Sequence, residues 1–394
     1  MSDAPSSVPP SSSQFQSSPA AAQSPELQAF TAHVLAMERE AHANPLGYKL
    51  RIALIGGLAY VYIALLVAVT LGILGGIGYG IKYVAVDSHA GLAALKLLKI
   101  AIPVTLGLLA FVGVILRSLW VQFPYPDGEY IGRDEAVPLF QEIDRLRSAV
   151  GAPRLHYVLL TDEFNAAVYQ RPRLGLFGWS ENFLEIGIPL MATLSPDQFR
   201  SVLAHELGHV GKAHGRFGNW VNSVSLSWMQ MIHGLEAEEH GGADLIRGCF
   251  NWYAPYFWWY TFGLRRAQEY EADHASAKVV GAKTAADALL TATLVEQSAR
   301  YKRRPQDKRE AQRWINEAMT APEDGRDSHP SLASRLRALG QPSDAPDPVT
   351  ETALTRYLGH RAQQMAAQVG IEIVFSGGDK TASSSPTPTG AVSR

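Results

Sequence analysis

A run of 30 residues without a charged side chain, from Ile52 to Ile81, is the strongest constraint on how this chain can fold. A helix of that length measures about 45 Å at its usual rise, which exceeds the thickness of the hydrocarbon core of a bilayer. Helices in the cores of soluble domains are much shorter than this. The run therefore predicts a transmembrane helix.

A second uncharged run follows, covering the 17 residues from Ile100 to Leu116. It is at the short end for a membrane span, but Arg117 can extend its aliphatic stem to the interface, where Trp120 is also well suited. A buried core helix is the alternative for either run. The favoured interpretation is a two-helix transmembrane anchor over residues 50–121.

The basic residues around these runs predict the orientation of the chain. Five lysines and arginines flank the outer ends of the two spans, and three lie in the loop between them. The two spans predict an integral protein of the inner or plasma membrane, and cytoplasmic segments of such proteins carry the excess of basic residues. The large C-terminal domain is then expected in the cytoplasm.

Composition limits the possible partners and metal ligands. The net charge is −2 among 394 residues, so nothing in the sequence indicates a nucleic-acid-binding surface, whereas the lipid bilayer is an expected partner. Cys249 is the single cysteine of the sequence, which excludes a thiolate-rich metal site. Histidines and carboxylates remain as metal ligands.

The chain outside the anchor divides into segments of different composition. Residues 1–25 and 376–394 are rich in serine, proline and other small residues, and are predicted to be disordered. Residues 26–45 have the pattern of an amphipathic helix, and residues 124–372 that of a globular domain. Within this domain, the patterns predict a helix over Val137–Val150 and a strand over Leu155–Leu160.

Two further elements of the globular domain have clear signals. Phe183–Pro189 alternates apolar and polar residues, and its proline suggests the edge or the end of a sheet. Ser195 and Pro196 have the properties of a helix cap and a first helical residue. The helix that they begin contains a histidine motif.

That motif is His205-Glu206-Leu-Gly-His209. Residues four apart share one face of a helix, so the two histidines can bind one zinc ion, each at about 2.0–2.1 Å. Glu206 is displaced around the helix and can act as general base on a zinc-bound water that attacks a peptide carbonyl. A chance match is the alternative, but chance does not require a well-capped amphipathic helix around the motif.

A catalytic zinc site needs a third protein ligand. His214 lies five residues beyond His209, whereas the metzincin pattern needs a histidine six residues beyond, and His214 is therefore interpreted as a surface residue. Glu269 is the better candidate, with Asp273 one turn further along the same helical stretch, where a carboxylate can accept the free N–H of a ligating histidine. Spacing alone leaves open a solvated helix face paired with the two preceding arginines.

These residues together resemble a known family. The histidine motif, with Glu269-Tyr-Glu-Ala-Asp273 some 60 residues later, is similar to the HtpX-like membrane zinc metallopeptidases, a family that includes the CAAX prenyl proteases. The likeness covers roughly residues 133–339. It includes Asn165-Ala-Ala167 and His329-Pro330, with Arg335 downstream.

The resemblance implies an α+β, mostly α fold: a zincin-like peptidase domain with a small edge-exposed sheet, preceded by two transmembrane helices. It implies one zinc ion per chain, held by His205, His209 and Glu269, with Glu206 as the catalytic base. CAAX prenyl proteases enclose their sites with many more membrane spans, so that branch is less expected.

The resemblance also implies positions around the metal. Asp273 and Arg335 would support the ligands from behind, and His329 would act close to the substrate or the tetrahedral intermediate.

Substrate binding is a further implication. The predicted edge strand, with Glu185 and Gly187, would bind the substrate as an added β-strand, and Asn165 would lie nearby. Ala167 replaces the phenylalanine that the family has there, which weakens any substrate role at that position.

One segment departs from the family pattern. HtpX-like proteins commonly carry two more transmembrane helices between the histidine motif and the third ligand. Here Ile246–Leu264 is dense in tryptophan and tyrosine, which favours an interfacial or re-entrant segment. An aromatic core helix packed over the site is the alternative.

The function that follows is a membrane-anchored zinc metalloendopeptidase acting on polypeptides, either unfolded or membrane-associated. A zinc-stabilised, non-catalytic membrane scaffold or adaptor is the main alternative, and a hydrolase with a non-peptide substrate is another. Glu206 favours an enzyme, because catalysis needs this carboxylate and zinc binding does not.

Overall fold

The structure is a computed structural model and describes residues 25–87, 91–119, 125–174, 177–211, part of 217–228, 243–323 and 327–368. Apart from residue 25, the two predicted disordered tails lie outside the described residues, as do Trp120 and His214.

The described part of the N-terminal region consists of helices. Asn44 ends the first helix and caps the second, its side chain accepting a hydrogen bond from the Gly47 backbone N–H at 3.0 Å. The helices are α1 (Pro25–Ala43), α2 (Pro45–Lys82) and α3 (Gly91–Leu119), with a π-helical turn at Tyr83–Asp87 after α2.

Two segments here are long and apolar enough to cross a membrane, Pro45–Val86 and Leu95–Gly113. Only 18% and 6% of their most apolar windows are buried within the protein, so neither is a core helix of the described structure. Leu54 and Leu106 are exposed, as expected for side chains that face lipid. The prediction of two long apolar N-terminal helices is confirmed.

The globular domain is mostly helical and contains one small sheet. The predicted helix at Val137–Val150 is confirmed with those bounds. The strands are β1 (Glu129–Tyr130), β2 (Tyr157–Thr161), β3 (Ala166–Leu174) and β4 (Phe177–Gly187). The helices are α4 (Val137–Val150), α5 (Ile188–Thr193), α6 (Pro196–His209), α7 (Ala243–Val280), α8 (Ala282–Tyr301), α9 (Lys308–Met319), α10 (Leu332–Leu339), α11 (Ala353–Leu358) and α12 (Arg361–Gln368).

The sheet is mixed, with the strand order β1-β2-β4-β3. Strand β4 runs parallel to β2 on one side and antiparallel to β3 on the other. The prediction that Phe183–Pro189 is an edge strand is therefore wrong, because β4 is an interior strand. Its alternation arises from its two faces, with Leu184 and Ile186 in the core and Glu185 on the other face, and Pro189 already belongs to α5.

The main core lies between this sheet and the helices α4, α5, α6, α11 and α12. A second apolar cluster joins α2 to the N-terminal half of α7, where Tyr48, Ile52 and Phe257 are buried. The segment Ile246–Leu264 is thus part of one continuous helix with one packed aromatic face. On its other face Trp252 and Tyr256 are exposed.

Candidate metal centre

Helix α6 begins with an N-terminal cap at Ser195, as the sequence predicts. The Ser195 side chain accepts the Gln198 backbone N–H at 3.2 Å, and the Gln198 side chain accepts the Ser195 backbone N–H at 3.0 Å. This reciprocal cap satisfies two N–H groups that the first helical turn leaves free. The core-facing side of the helix buries Phe199, Leu203 and Leu207.

The other side of α6 packs against α7 through polar contacts in three successive turns. The contacts run in opposite chain directions, so the two helices are antiparallel. They are Ser201 Oγ to Ser276 Oγ at 2.7 Å, His205 Nδ1 to Asp273 Oδ1 at 3.0 Å, and His209 Nε2 to Glu269 Oε1 at 3.3 Å.

Three side chains converge at the last of these turns. His205 Nε2 lies 3.2 Å from His209 Nε2 and 3.5 Å from Glu269 Oε2, and His209 Nε2 lies 3.3 Å from Glu269 Oε1. Tetrahedral zinc with bonds of 2.0–2.1 Å separates its ligand atoms by about 3.3 Å. His205, His209 and Glu269 therefore form a group that could hold a metal ion.

The carboxylate of Glu269 also fits a metal ligand. Its Oε2 atom is buried and close to two imidazole nitrogens, His329 Nδ1 at 2.8 Å and His205 Nε2 at 3.5 Å, but neither contact among the described residues has the geometry of a full hydrogen bond. Burial raises its pKa, but the three neighbouring histidines, His205, His209 and His329, outweigh burial and hold that pKa far below the ordinary value. A permanently ionised, incompletely satisfied carboxylate beside two imidazoles is a donor set that suits zinc.

Asp273 and Arg335 support His205 from behind. The Arg335 guanidinium donates two hydrogen bonds to Asp273, at 2.6 and 2.8 Å. Burial lowers the pKa of His205, but its hydrogen bonds to Asp273 and Glu269 outweigh burial and raise that pKa to about 9. An environment that attracts a proton so strongly also attracts a metal cation, which competes for the same imidazole.

Glu206 follows His205 directly and is half-buried. Burial raises the pKa of its carboxyl above the ordinary value, while the nearby His205 and His209 oppose this shift. A raised pKa makes the carboxylate a stronger base than an ordinary glutamate, which suits a group that takes up and releases a proton.

His329 reaches the same site from the segment before α10. Its Nδ1 lies 2.8 Å from Glu269 Oε2, although 59% of its side chain is exposed. Its backbone carbonyl accepts a hydrogen bond from Arg266, which is completely buried. Sequence patterns do not predict the burial of this arginine, since an arginine near a carboxylate on a helix is usually solvated.

A protein-family comparison agrees with this geometry. The model of Peptidase family M48 matches residues 141–343, just over half of the chain. The chain belongs to peptidase family M48. Among the curated proteins, none matches this chain.

M48 is a family of zinc metalloendopeptidases, and its members are typically membrane-bound. The M48 match contains every residue of the cluster around Glu269, and the structure brings together all six predicted residues of this cluster. They are His205, His209, Glu269, Asp273, His329 and Arg335.

The substrate-binding residues expected on β4 are placed differently. Glu185 pairs with Leu159 on β2 and with Ala167 on β3, inside the sheet. The Gly187 N–H donates to the Asn165 carbonyl at 2.7 Å, and a Cβ atom on Gly187 would lie 1.8 Å from the Glu163 carbonyl oxygen. The Gly187 backbone therefore closes the turn before β3 and is not free to pair with a substrate.

Proposed function

We propose that this protein is a membrane-anchored zinc metalloendopeptidase that hydrolyses peptide bonds, with one zinc ion held by His205, His209 and Glu269. The observation that carries the proposal is the set of 3.2–3.5 Å distances among the three ligand atoms. Glu206 follows the first ligand on the same helix, which places a carboxylate beside the metal position.

When bound, zinc polarises the scissile carbonyl and lowers the pKa of water in its coordination sphere. Glu206 takes the proton from the attacking water and passes it to the leaving amine, a role that suits its raised pKa. His329 has an exposed side chain beside Glu269. This position suits a contact with the substrate as negative charge develops on its carbonyl oxygen.

Asp273 orients the first ligand. Its carboxylate accepts a hydrogen bond from the Nδ1–H of His205, which leaves Nε2 free to bind the metal. Arg335 holds both oxygens of Asp273, so the carboxylate and the imidazole keep one orientation.

For substrate binding, β3 replaces β4 as the favoured strand. Among the described strands, β3 lies at the edge of the sheet and packs against α6. An extended polypeptide can pair with the outer side of β3 as an added strand along Ala166 and Ala167, and Asn165 lies exposed at the start of that edge. Unfolded or membrane-associated polypeptides can adopt this extended form.

More basic residues flank the outer ends of the two spans than lie in the loop between them, which supports a cytoplasmic peptidase domain. Residues 50–121 are then the anchor, and residues 124–372 the catalytic unit. Labelling with a membrane-impermeant thiol reagent tests this topology, with cysteines introduced in the predicted loop between the two spans, at residues 88–90, and at the exposed position of Glu296 in α8. In intact cells or spheroplasts, labelling of the loop alone supports it, and labelling of α8 contradicts it.

Cleavage of unfolded casein by the full-length protein in detergent tests the activity. Glu206→Gln is expected to reduce the rate about a thousandfold, because it removes the general base, while zinc content stays at one per chain. Glu296→Gln, exposed on α8, is the matched control and should cleave like the wild type. Equal cleavage by Glu206→Gln would disprove the mechanism, and no cleavage by zinc-loaded wild type would favour a non-catalytic scaffold.

A further inference from the structure

Arg266 lies one turn before Glu269 in α7 and is completely buried. Its guanidinium donates hydrogen bonds to two carboxylates and two backbone carbonyls. One acceptor lies on α1, and the other three lie between residues 323 and 329. The hydrogen bonds run to Glu38 Oε2 at 2.7 Å, Glu323 Oε2 at 2.8 Å, the Asp327 carbonyl at 3.0 Å and the His329 carbonyl at 3.1 Å. Burying a guanidinium is costly unless it is paired this fully.

These contacts fix the backbone on which His329 is carried. The His329 N–H donates to Asp327 Oδ1 at 2.9 Å, and its carbonyl is held by Arg266. Just beyond it, the Ser331 hydroxyl donates to Glu323 Oε1 at 2.5 Å. Because 59% of the His329 side chain is exposed, few packing contacts hold the imidazole, and its position depends on the contact of Nδ1 with Glu269 Oε2 at 2.8 Å and on the placement of its own backbone.

Helix α1 completes the cluster from the other side. Glu38 is 8% exposed, and α1 packs directly on α7 one turn before Arg266. At that turn a Cβ atom on Gly263 would lie 2.8 Å from Met37 Cβ and 2.7 Å from Tyr48 Oη. The absence of a side chain at Gly263 therefore lets α1 approach closely enough for Glu38 to reach the guanidinium.

We propose that Arg266 is a positioning residue for His329, and that α1 is part of the support of the peptidase site through Glu38. The inference rests on the proposed function, in which His329 contacts the substrate. Glu38 lies outside residues 141–343, the part of the chain that matches the M48 family. The helix before the membrane anchor thereby acts on the geometry of the site.

Hydrogen exchange in the full-length protein in detergent tests the positioning directly. Glu38→Gln keeps the shape of the side chain but removes its charge, which weakens its hold on Arg266. Glu40→Gln is the matched control, because Glu40 lies two residues further along α1 and forms an exposed pair with Arg51.

Exchange of peptides covering residues 327–331 is expected to be faster in Glu38→Gln than in Glu40→Gln, with zinc content unchanged in both. Equal exchange in the two variants overturns the proposal. If Glu38→Gln does not accumulate, Glu38→Asp retains the charge but has a shorter reach. Glu38→Asp is expected to speed exchange in the same segment, and unchanged exchange there would also overturn the proposal.

Kinetics separate positioning from general stability. Glu38→Gln should lower kcat about tenfold with little change in KM, since a displaced imidazole affects the reaction more than binding. In a His329→Ala background the same substitution should cause no further loss, because the residue through which it acts is gone. If the losses in kcat caused by Glu38→Gln and His329→Ala are fully additive, the proposal is overturned.

An inactive wild type would instead contradict the proposed function, and the exchange experiment would still decide this inference.

Discussion

The two halves of α7 have different neighbours and do different work. In the N-terminal half, Tyr253, Phe257 and Tyr260 pack against the first candidate membrane helix, and Tyr48 Oη donates to the Tyr260 carbonyl at 2.9 Å. The C-terminal half instead buries polar groups against α1, α6 and the segment before α10. These are Arg266, Glu269, Asp273 and Ser276.

The difference shows how one helix can both pack against a candidate membrane helix and position the polar groups of the metal centre. Apolar packing needs only matching shape, so the first half tolerates any well-fitting neighbour. Each buried polar group of the second half needs a specific partner, and the partners come from three separate parts of the chain, α1, α6 and residues 323–335. We therefore expect substitutions in the first half to change stability, and those in the second half to change metal binding.

The largest effect is expected from Phe257→Ala in the aromatic half. Phe257 is 2% exposed and its ring lies 4.6 Å from that of Trp228. Removing it leaves a cavity and should lower the free energy of unfolding by about 3–5 kcal/mol, measured by denaturant titration in micelles. Zinc affinity of the folded protein should be unchanged, and a loss of affinity would break the proposed separation.

Tyr256→Ala is the matched control for that change, one residue away on the exposed face of the same turn. Its free energy of unfolding should stay within about 0.5 kcal/mol of the wild type. A cost as large as that of Phe257→Ala would mean that this face also packs against protein.

A smaller effect is expected from Asp273→Asn in the polar half. The amide cannot accept from both His205 and Arg335 as the carboxylate does, so zinc affinity should fall about 10- to 100-fold. Competition with a chromogenic chelator measures the change. Asp287→Asn, which loses an exposed pair with Lys283, should bind zinc like the wild type.

The smallest effect is expected at the N-terminal cap of α6, the helix that packs against the polar half of α7. Ser195→Ala removes one side of the reciprocal cap and should cost about 1 kcal/mol of stability. Ser195→Asp retains an acceptor and should cost less. The cost should be the same with and without zinc, and a zinc-dependent cost would show that the cap also sets the metal geometry.

Much of the site follows from local sequence patterns. The cap at Ser195 and the spacing of His205 and His209 are local, so the sequence predicted the helix and the metal pair. Glu269 and Asp273 are also one turn apart on one helix, which placed both carboxylates on one face. Spacing alone does not establish their contact with the histidines, because that contact depends on how α6 and α7 pack.

The failures concern contacts between distant segments. Strand β4 alternates like an edge strand, but alternation reports which faces of a strand are buried and gives no information about its neighbours. Its pairing with β2 and β3 depends on the whole sheet. Arg266 was missed for the same reason, since its partners Glu38 and Glu323 lie 228 and 57 residues away along the chain.

The continuity of α7 has a consequence for how this chain can vary. Nine residues, about 13.5 Å of helix, separate Tyr260 at the anchor from Glu269 at the site. One inserted residue would rotate Glu269 by about 100° relative to the anchor and turn it away from the histidines. Length here can therefore change only in steps of about seven residues, two full turns, which restore the angular phase. The distance between the aromatic cluster on α2 and the metal ligands is thus adjustable in discrete increments of about 10 Å.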